Sequence, residues 1–319
     1  MEPILSICIP IYNRSSYLSR MLERFLEDKD LFEEKVYLYI SDNDSEEDIY
    51  SIVKSYMEKG LVIHYHRNEE NIGGDRNICA CYHAGKGKYT WALGSDDILS
   101  SGFLRALLPI LEEKTYGLVN MDIMNGGGGM KEYTDLDALF TDVNIRMSGI
   151  SQNIVLTAAI EQSGFEQYVQ TRMSQVLLCL KAASMNPVNL VIYCAGYIED
   201  DHDLICDFDP FQVFGEGQLS MFKIACEKGW IMEKTVQGVK RFIYRYFIVG
   251  NILTLLILHK KGLCDRKKAW KFVWREYRHC AYAYLYFIHK VATSVWNVIF
   301  DKALGLHKLR IKPINVMVE

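Results

Sequence analysis

The sequence predicts an α/β protein: an open, mixed but mainly parallel sheet flanked by helices, followed by a helical C-terminal appendage. Three observations predict it. Short continuous apolar runs alternate with helix-period segments between residues 4 and 124, the pattern of strands joined by crossover helices. Polar clusters fall at the carboxyl ends of those runs, the edge where open α/β sheets bind ligands. From about Phe211 onward the pattern is helical almost throughout, with no repeat and no heptad.

Each element follows in order. "ILSICIPIY" (4–12) is a buried strand of the parallel type, and Asn13-Arg14-Ser15-Ser16 follows it, the serines placed to cap a helix running through residue 27. "KVYLYISDNDS" (35–45) repeats the design, with a strand, a polar cluster and a helix to about residue 59. "LVIHYH" (61–66) is a third strand, and "ENIGGDRNICACYHAGKG" (70–87) opens on two glycines and continues as a helix to about Gly85. "KYTWALG" (88–94) is a fourth strand, delivering the corner Ser95-Asp96-Asp97. A helix from about Gly102 to Glu113 and a fifth strand, "YGLVNMDIM" (116–124), complete this half.

Beyond the glycine run at 126–129 the periodicity weakens. "RMSGISQNIVLTA" (146–158) reads as one or two strands, "FEQYVQTRMSQVLLCLKAA" (165–183) as one amphipathic helix and "VNLVIYCAG" (188–196) as a strand. "GEGQ" (215–218) fits a mobile loop or a helix-connecting turn equally. "FIYRYFIVGNILTLLILHKKG" (242–262) has an apolar core of about 17 residues, short of the roughly 20 that span a bilayer, and reads as a buried helix. "KKAWKFVWREYRHCAYAYLYFIHKVATSVW" (267–296) mixes basic and aromatic residues; it suits helices on an anionic membrane surface or a helical pair packed on the main domain.

Composition sets bounds. Of 319 residues, 50% are hydrophobic and 24% charged, which excludes a disordered chain and allows a large core. Charge is uneven. Residues 1–233 carry 19 Lys and Arg against 36 Asp and Glu, whereas 234–319 carry 17 against 4. A basic tail on an acidic body implies an anionic partner, and no recognised nucleic-acid module accompanies it, so nucleic acid is not expected. Nine cysteines form no C-x-x-C pair, and Cys8, Cys179, Cys194 and Cys226 sit in apolar runs. Reduced buried thiols, and an N-terminus that enters a strand pattern without a signal peptide, give the expectation of a cytoplasmic protein.

"WALGSDDILS" (91–100) sets two adjacent carboxylates where a strand leaves the core. Taken alone the triplet is a solvated turn or a helix cap. Its convergence with Asn13, and with Asp42 and Asp44, on one sheet edge argues for a site. Taken together and in order, "LSICIPIYNRSSYL", "SDNDSEED", "NIGGDRNI" and "WALGSDD" resemble the nucleotide-sugar domain of glycosyltransferase family 2, whose Rossmann-like sheet is the GT-A fold. "NIGGDRN" and the long helical C-terminus look most like its abequosyltransferase-type branch, which works on bacterial surface polysaccharides. The resemblance covers about residues 1–125, thins between 146 and 220, and then ends.

That resemblance implies an inverting glycosyltransferase moving a sugar from a nucleoside-diphosphate sugar (UDP, CDP or dTDP type) to a glycan. The acceptor would be a lipid-linked oligosaccharide at the inner membrane face, with 234–319 touching the anionic surface. Residues 1–125 would form the nucleotide-sugar half, 126–230 the acceptor half and 231–319 the basic, aromatic helical region. Pro10, Tyr12, Asn13 and Arg14 would wall the base pocket, and Asp42 would accept from the base imino group. Gly73 and Gly74 permit close backbone approach, the helix behind them aims N–H groups at phosphate, and Arg76 adds charge.

Mg2+ or Mn2+ would sit at the acidic corner, because hard cations take carboxylate oxygens and keep several waters. Ser95 stands where many relatives have Asp. Asp97 is therefore the expected primary metal ligand, with Ser95 beside the nucleotide and Asp96 facing ribose or sugar. An acceptor-side base has no clean copy. Glu166 is the candidate; Glu161 and the cluster Asp200, Asp201 and His202 are others, while Gln170, Thr171 and Gln175 would line the acceptor pocket. Two other readings stay open: a non-catalytic nucleotide-sugar-binding protein on the same fold, and another nucleotide-dependent α/β transferase. A nucleotidyltransferase would show a glycine-rich loop at its first strand, and "IPIYNRSS" has none.

Overall fold

In a computed structural model, residues 2–122, 128–194, 198–199, 208–259 and 262–303 are described. Strand β1 (Leu5–Ile11) is buried along almost its whole length, as a strand covered on both faces must be. It pairs in parallel with β2 (Val36–Asp42) on one side and β4 (Tyr89–Ala92) on the other. β3 (His64–Arg67) adds in parallel beyond β2; it begins later than the apolar run suggests and is largely exposed, as an edge strand is. The parallel pairs are joined by the crossovers they require, through α1 (Ser15–Glu27), α2 (Lys29–Glu34), α3 (Ile49–Glu58) and α4 (Gly74–Ala84).

β5 (Ile98–Leu99) and α5 (Phe103–Glu113) follow the acidic corner. The sheet then extends through β6 (Leu118–Asp122), β7 (Met130–Tyr133), β8 (Asn153–Leu156) and β9 (Asn189–Tyr193), in the order β3-β2-β1-β4-β8-β6-β9-β7. β8 lies antiparallel between β4 and β6, so Val155 faces Thr90 on one side and Leu118 on the other. β6 and β9 are parallel, β7 runs antiparallel at the far edge, and β10 (Ile198–Glu199) pairs antiparallel with β5. This is the mixed, mainly parallel sheet the sequence predicts. Its core joins Ile7, Ile9, Leu38 and Ile40 to Trp91, Leu108 and Ile154 in one cluster.

Several local expectations fail for physical reasons. The serines do not cap α1: Arg14 precedes it in the left-handed region, and the Glu47 carboxylate accepts the N–H groups of Arg14 and Ser15 instead. β7 and α6 (Leu136–Val143) fall where no period was legible; Asp135 caps α6 with its side chain. Residues 146–158 hold two tight 3-10 turns, Asn144–Ser148 and Ile150–Gln152, ahead of the single short strand β8. The segment 165–183 is not one amphipathic helix. After α7 (Ile160–Ser163) it forms 3-10 turns over Phe165–Thr171, breaks at left-handed Arg172 and resumes as α8 (Ser174–Met185). α8 is buried on nearly every side, packed against both β8 and α9 (Gln218–Glu227), which explains its apolar Val-Leu-Leu-Cys-Leu run.

Two compact units result. The sheet with α1–α9 lies within 1–205 and 217–236, and a helical unit lies within 206–216 and 237–319. In the helical unit the chain past Gln237 stays helical to Ile257 through widened turns at Tyr244–Ile248 and Ile252–Ile257. Its core takes Ile243, Tyr244, Ile248 and Ile252 with Phe272 and Tyr277 from the helix Arg266–Tyr277. "GEGQ" is neither loop nor connecting turn: Gly215 belongs to a helical turn, Phe211–Gly217, and lies so near the Phe272 ring that an added Cβ would come within 2.8 Å of it. Among the described residues no helix is long and apolar enough to cross a membrane.

Candidate active site

The site starts at the tips of β1 and β2. Asn13 and Arg14 both adopt positive φ, 57° and 64°, a conformation uncommon outside glycine that neighbouring bonds must hold. The Asn13 N–H donates to Ser45 Oγ at 2.8 Å, and its side-chain oxygen accepts from the N–H groups of Glu46 (3.0 Å) and Glu47 (3.3 Å). Hydrogen bonds from Ser15 and Arg14 hold the Glu47 carboxyl below its usual pKa, and the charge lies at the positive end of α1. Tyr12 stays exposed beside this lock.

Asp42 ends β2 with no exposed surface. Its Oδ1 accepts the Ser45 N–H (2.9 Å), and its Oδ2 accepts the Tyr65 hydroxyl (2.6 Å) and Arg67 (3.4 Å). Burial, then the carboxylate, pushes the Tyr65 hydroxyl pKa up. Asp42, expected from sequence to accept from a base, is thus engaged by Ser45, Tyr65 and Arg67, and the last two carry the accessible surface at this tip. Arg67 also pairs with Asp44 at 2.6 Å.

From the same tip Asn43 donates to Asn71 (2.8 Å) and accepts from the Ile72 N–H (3.0 Å), while Ser41 donates to Asn77 (2.7 Å). These bonds hang the glycine pair on β2. Gly73, at φ 86° and ψ 150°, occupies a region closed to other residues, and the space where Cβ atoms of Gly73 and Gly74 would stand is open. The first N–H groups of α4 look into that opening, with Arg76 exposed on its first turn.

The third tip is the acidic corner. Gly94 is needed there, because an added Cβ would stand 2.5 Å from Asp97 Oδ2. The Asp97 N–H closes the turn on the Gly94 carbonyl at 3.0 Å. Ser151 donates its hydroxyl to Asp97 and accepts the Gly94 N–H at 2.8 Å. Asp96 forms an ion pair with Arg14, so that guanidinium reaches from the β1 tip to the β4 corner. Adjacent carboxylates are tolerable here because each has its own partner. Ser95 is buried. No three metal-ligating side chains cluster among the described residues. Two half-buried carboxylates are nonetheless the hard oxygen donors a divalent cation takes when a diphosphate and water supply its other ligands, so the donor set fits.

The acceptor-side candidates are more scattered. Glu166 and Gln170 are exposed on the 3-10 segment that packs beside α4. Thr171 bonds the Tyr168 carbonyl (2.7 Å) and receives the Met173 N–H (3.2 Å), a local turn bond. Gln175 is buried, donating to the Ser148 carbonyl at 2.7 Å. Glu161 pairs with His83, on the last turn of α4 and far from that helix's glycine end. Asp200, Asp201 and His202 lie outside the described residues.

Two groups went unread in the sequence. Asp75, on the first turn of α4, is half-buried, and burial raises its pKa against the opposing pull of Arg172. An acid in a helix's first turn is so common that it gave no signal. At the β6 tip, buried Asp122 pairs with Arg146, which also meets Asp142; Tyr133 and Tyr193 both donate to Asp142. Burial pushes the Asp142 carboxyl up, but those hydroxyls and Arg146 outweigh it and hold it below the usual range. This network joins β6, β7, β9 and a 3-10 turn, and no single motif announces it.

The family model described as "Glycosyl transferase family 2" matches residues 6–167, half of the chain. The chain belongs to glycosyltransferase family 2. The match spans every tip described above. Among curated proteins, this family 2 chain is 33% identical over 112 residues to the abequosyltransferase RfbV of Salmonella typhimurium, covering 35% of this chain and 33% of that one. It is 30% identical over 117 residues to the uncharacterised protein MT1568 of Mycobacterium tuberculosis, covering 37% and 35%. The chain thus spans about a third of the length of the curated relatives it matches. Among solved structures, residues 1–349 of S. aureus TarS in complex with UDP superpose with a TM-score of 0.63 at 15% identity, over 84% of this chain and 78% of that one. Mannosyltransferase PcManGT from Pyrobaculum calidifontis, in complex with GDP-Man and Mn2+, gives 0.52 at 14% identity, over 97% and 82%. These likenesses show the GT-A-like architecture.

Proposed function

We propose that this family 2 protein is an inverting glycosyltransferase that moves a sugar from a nucleoside-diphosphate donor to a glycan acceptor in bacterial surface polysaccharide synthesis. One observation carries the reading: three strand tips converge, bringing the Asp42–Tyr65–Arg67 group, the opening at Gly73–Gly74 and the Arg14–Asp96 pair to one edge. A base lodges by Pro10, Tyr12 and Tyr65, the diphosphate meets the α4 N–H groups, and the sugar lies toward the acidic corner. Asp97, with Asp96 beside it, would hold Mg2+ or Mn2+; when bound, the cation supplies Lewis-acid stabilisation of the departing diphosphate.

Transfer requires the acceptor hydroxyl to attack the anomeric carbon as the bond to phosphate breaks, with its proton taken by a carboxylate. Glu166 is the proposed base, exposed on the segment beside α4, and Gln170 shares that segment. Asp75 is the alternative base: it is half-buried on the first turn of α4, beside the glycine opening, and burial raises its pKa. The acceptor is a lipid-linked oligosaccharide at the inner membrane face, with the basic helices against the anionic surface.

The test is a thermal-shift screen of UDP, CDP, dTDP and GDP with and without Mn2+. A ligand at a hundredfold excess over its dissociation constant stabilises by about 2.7 kcal/mol. A Mn2+-enhanced shift with UDP, CDP or dTDP, absent in Asp97→Ala, supports the reading; no response to any nucleotide overturns it.

A further inference from the structure

Outside the sheet unit, the helical unit carries an open cavity of about 320 Å3 lined by Gly238, Arg241, Phe242, Arg245, Tyr246 and Tyr286. Arg241 and Arg245 stand one turn apart. The Arg241 guanidinium lies 5.4 Å from the Tyr282 ring and 5.8 Å from Tyr286, and its Nε donates to the Tyr286 hydroxyl at 3.3 Å. The Arg245 guanidinium lies 5.1 Å from Tyr246 and 5.5 Å from Tyr286. Neither guanidinium is paired with a carboxylate among the described residues. Two arginines set against aromatic rings, without a carboxylate partner among the described residues, make a seat for a phosphate group.

The helix Ala281–Ala303 that supplies Tyr286 adds a second feature. On its adjacent face Leu285, Ile288 and Trp296 stand in a row and are 67%, 64% and 66% exposed. Trp270 and Trp274, one turn apart on Arg266–Tyr277, are exposed as well, among Lys267, Lys268 and Lys271. Exposed aliphatic and indole groups on the same unit as the Arg241 and Arg245 guanidiniums match the boundary between acyl chains and headgroups.

We propose that the Arg241–Arg245 pocket seats the phosphate of an anionic phospholipid while Leu285, Ile288 and Trp296 enter the bilayer surface. This deepens the membrane contact proposed above and rests on that contact, not on the donor site. The full chain is sedimented with vesicles of phosphatidylcholine, with phosphatidylcholine mixed with phosphatidylglycerol, and with phosphatidylcholine doped with an isoprenoid diphosphate. The same preparation is assayed for its thermal response to UDP.

The expected result is binding at least about tenfold tighter to the phosphatidylglycerol mixture than to phosphatidylcholine alone. Arg241→Gln with Arg245→Gln removes that preference, and Leu285→Ser with Ile288→Ser weakens binding to every vesicle. Lys267→Gln with Lys268→Gln, a diffuse-charge control, lowers affinity by less than the arginine pair. Equal losses from the two charge pairs, no preference for phosphatidylglycerol, or binding to the isoprenoid diphosphate alone would each overturn the proposal. A chain that keeps its phosphatidylglycerol preference without any nucleotide response overturns the donor reading and leaves this one standing.

Discussion

The strand tips of the first half and the segment 144–175 belong to the same sheet unit, yet they use polar side chains in opposite ways. At the tips, bonds run between loops distant in sequence: Asn13 to Ser45, Asn43 to Asn71, Ser41 to Asn77, Arg14 to Asp96. In 144–175 most serve their own turn, as in Asn144 to the Thr141 carbonyl, Ser163 to Ile160 and Thr171 to Tyr168. Cross-loop bonding fixes several groups against one another before a ligand arrives, which suits a nucleotide whose shape does not vary. Self-contained turns can change residue by residue without disturbing their neighbours, so this segment tolerates variation that the tips do not.

Substitutions can break or sharpen that contrast. The largest effect on activity is expected from Asp97→Ala: turnover should fall on the order of a hundredfold or more, about 3 kcal/mol in the barrier, while loss of the Ser151 bond costs about 1 kcal/mol of stability. If Mn2+ still enhanced nucleotide binding in this variant, the corner would not be the metal site. Next, Asp42→Ala strands the Tyr65 hydroxyl and the Ser45 N–H, and should cost about 2–3 kcal/mol in urea denaturation along with most nucleotide affinity. Thr171→Val removes only a local bond and should cost under about 1 kcal/mol; equal costs for the two would erase the distinction between the regions.

Gly73→Ala should destabilise by about 1–2 kcal/mol through its φ alone, because nothing crowds the missing Cβ. The smallest effect concerns Asp75. Its folded pKa is raised, so the folded chain takes up a proton before the unfolded one does, and the carboxylate weighs against folding above that range. Asp75→Asn should therefore match or slightly exceed the wild type in denaturation midpoint at pH 7, the difference closing as pH falls through about 4. Measured beside Glu166→Gln, its turnover identifies the base: the variant that loses activity without losing nucleotide binding carries the proton.

Legibility followed the same divide. β1, β2, β4 and the helices between them were readable because their apolar runs are buried on both faces and end in polar clusters. Asp97 and Gly73 were readable as positions, since a strand end and a helix start locate them. Partners were not. That Glu47 caps α1, that Arg14 answers Asp96 and that Asp42 lies beneath Tyr65 depend on which loops touch, and periodicity carries no information about that. In the second half even the elements were obscure. α8 is covered on almost every side, so its hydrophobic pattern has no stripe to reveal a helix boundary, and the break at Arg172 has neither Gly nor Pro to mark it.

The Ser151 hydroxyl comes from the turn that feeds β8, whereas the carboxylate it holds follows β4. A hybrid enzyme spliced at residue 125 would thus separate a latch from its bolt. Replacing the chain beyond residue 125 would remove the Ser151 bond to Asp97 unless the incoming segment brought a hydroxyl to the same place. Under the proposed reading, trading turns within 160–173 alters the acceptor side while keeping that bond, and trading everything beyond residue 125 does not.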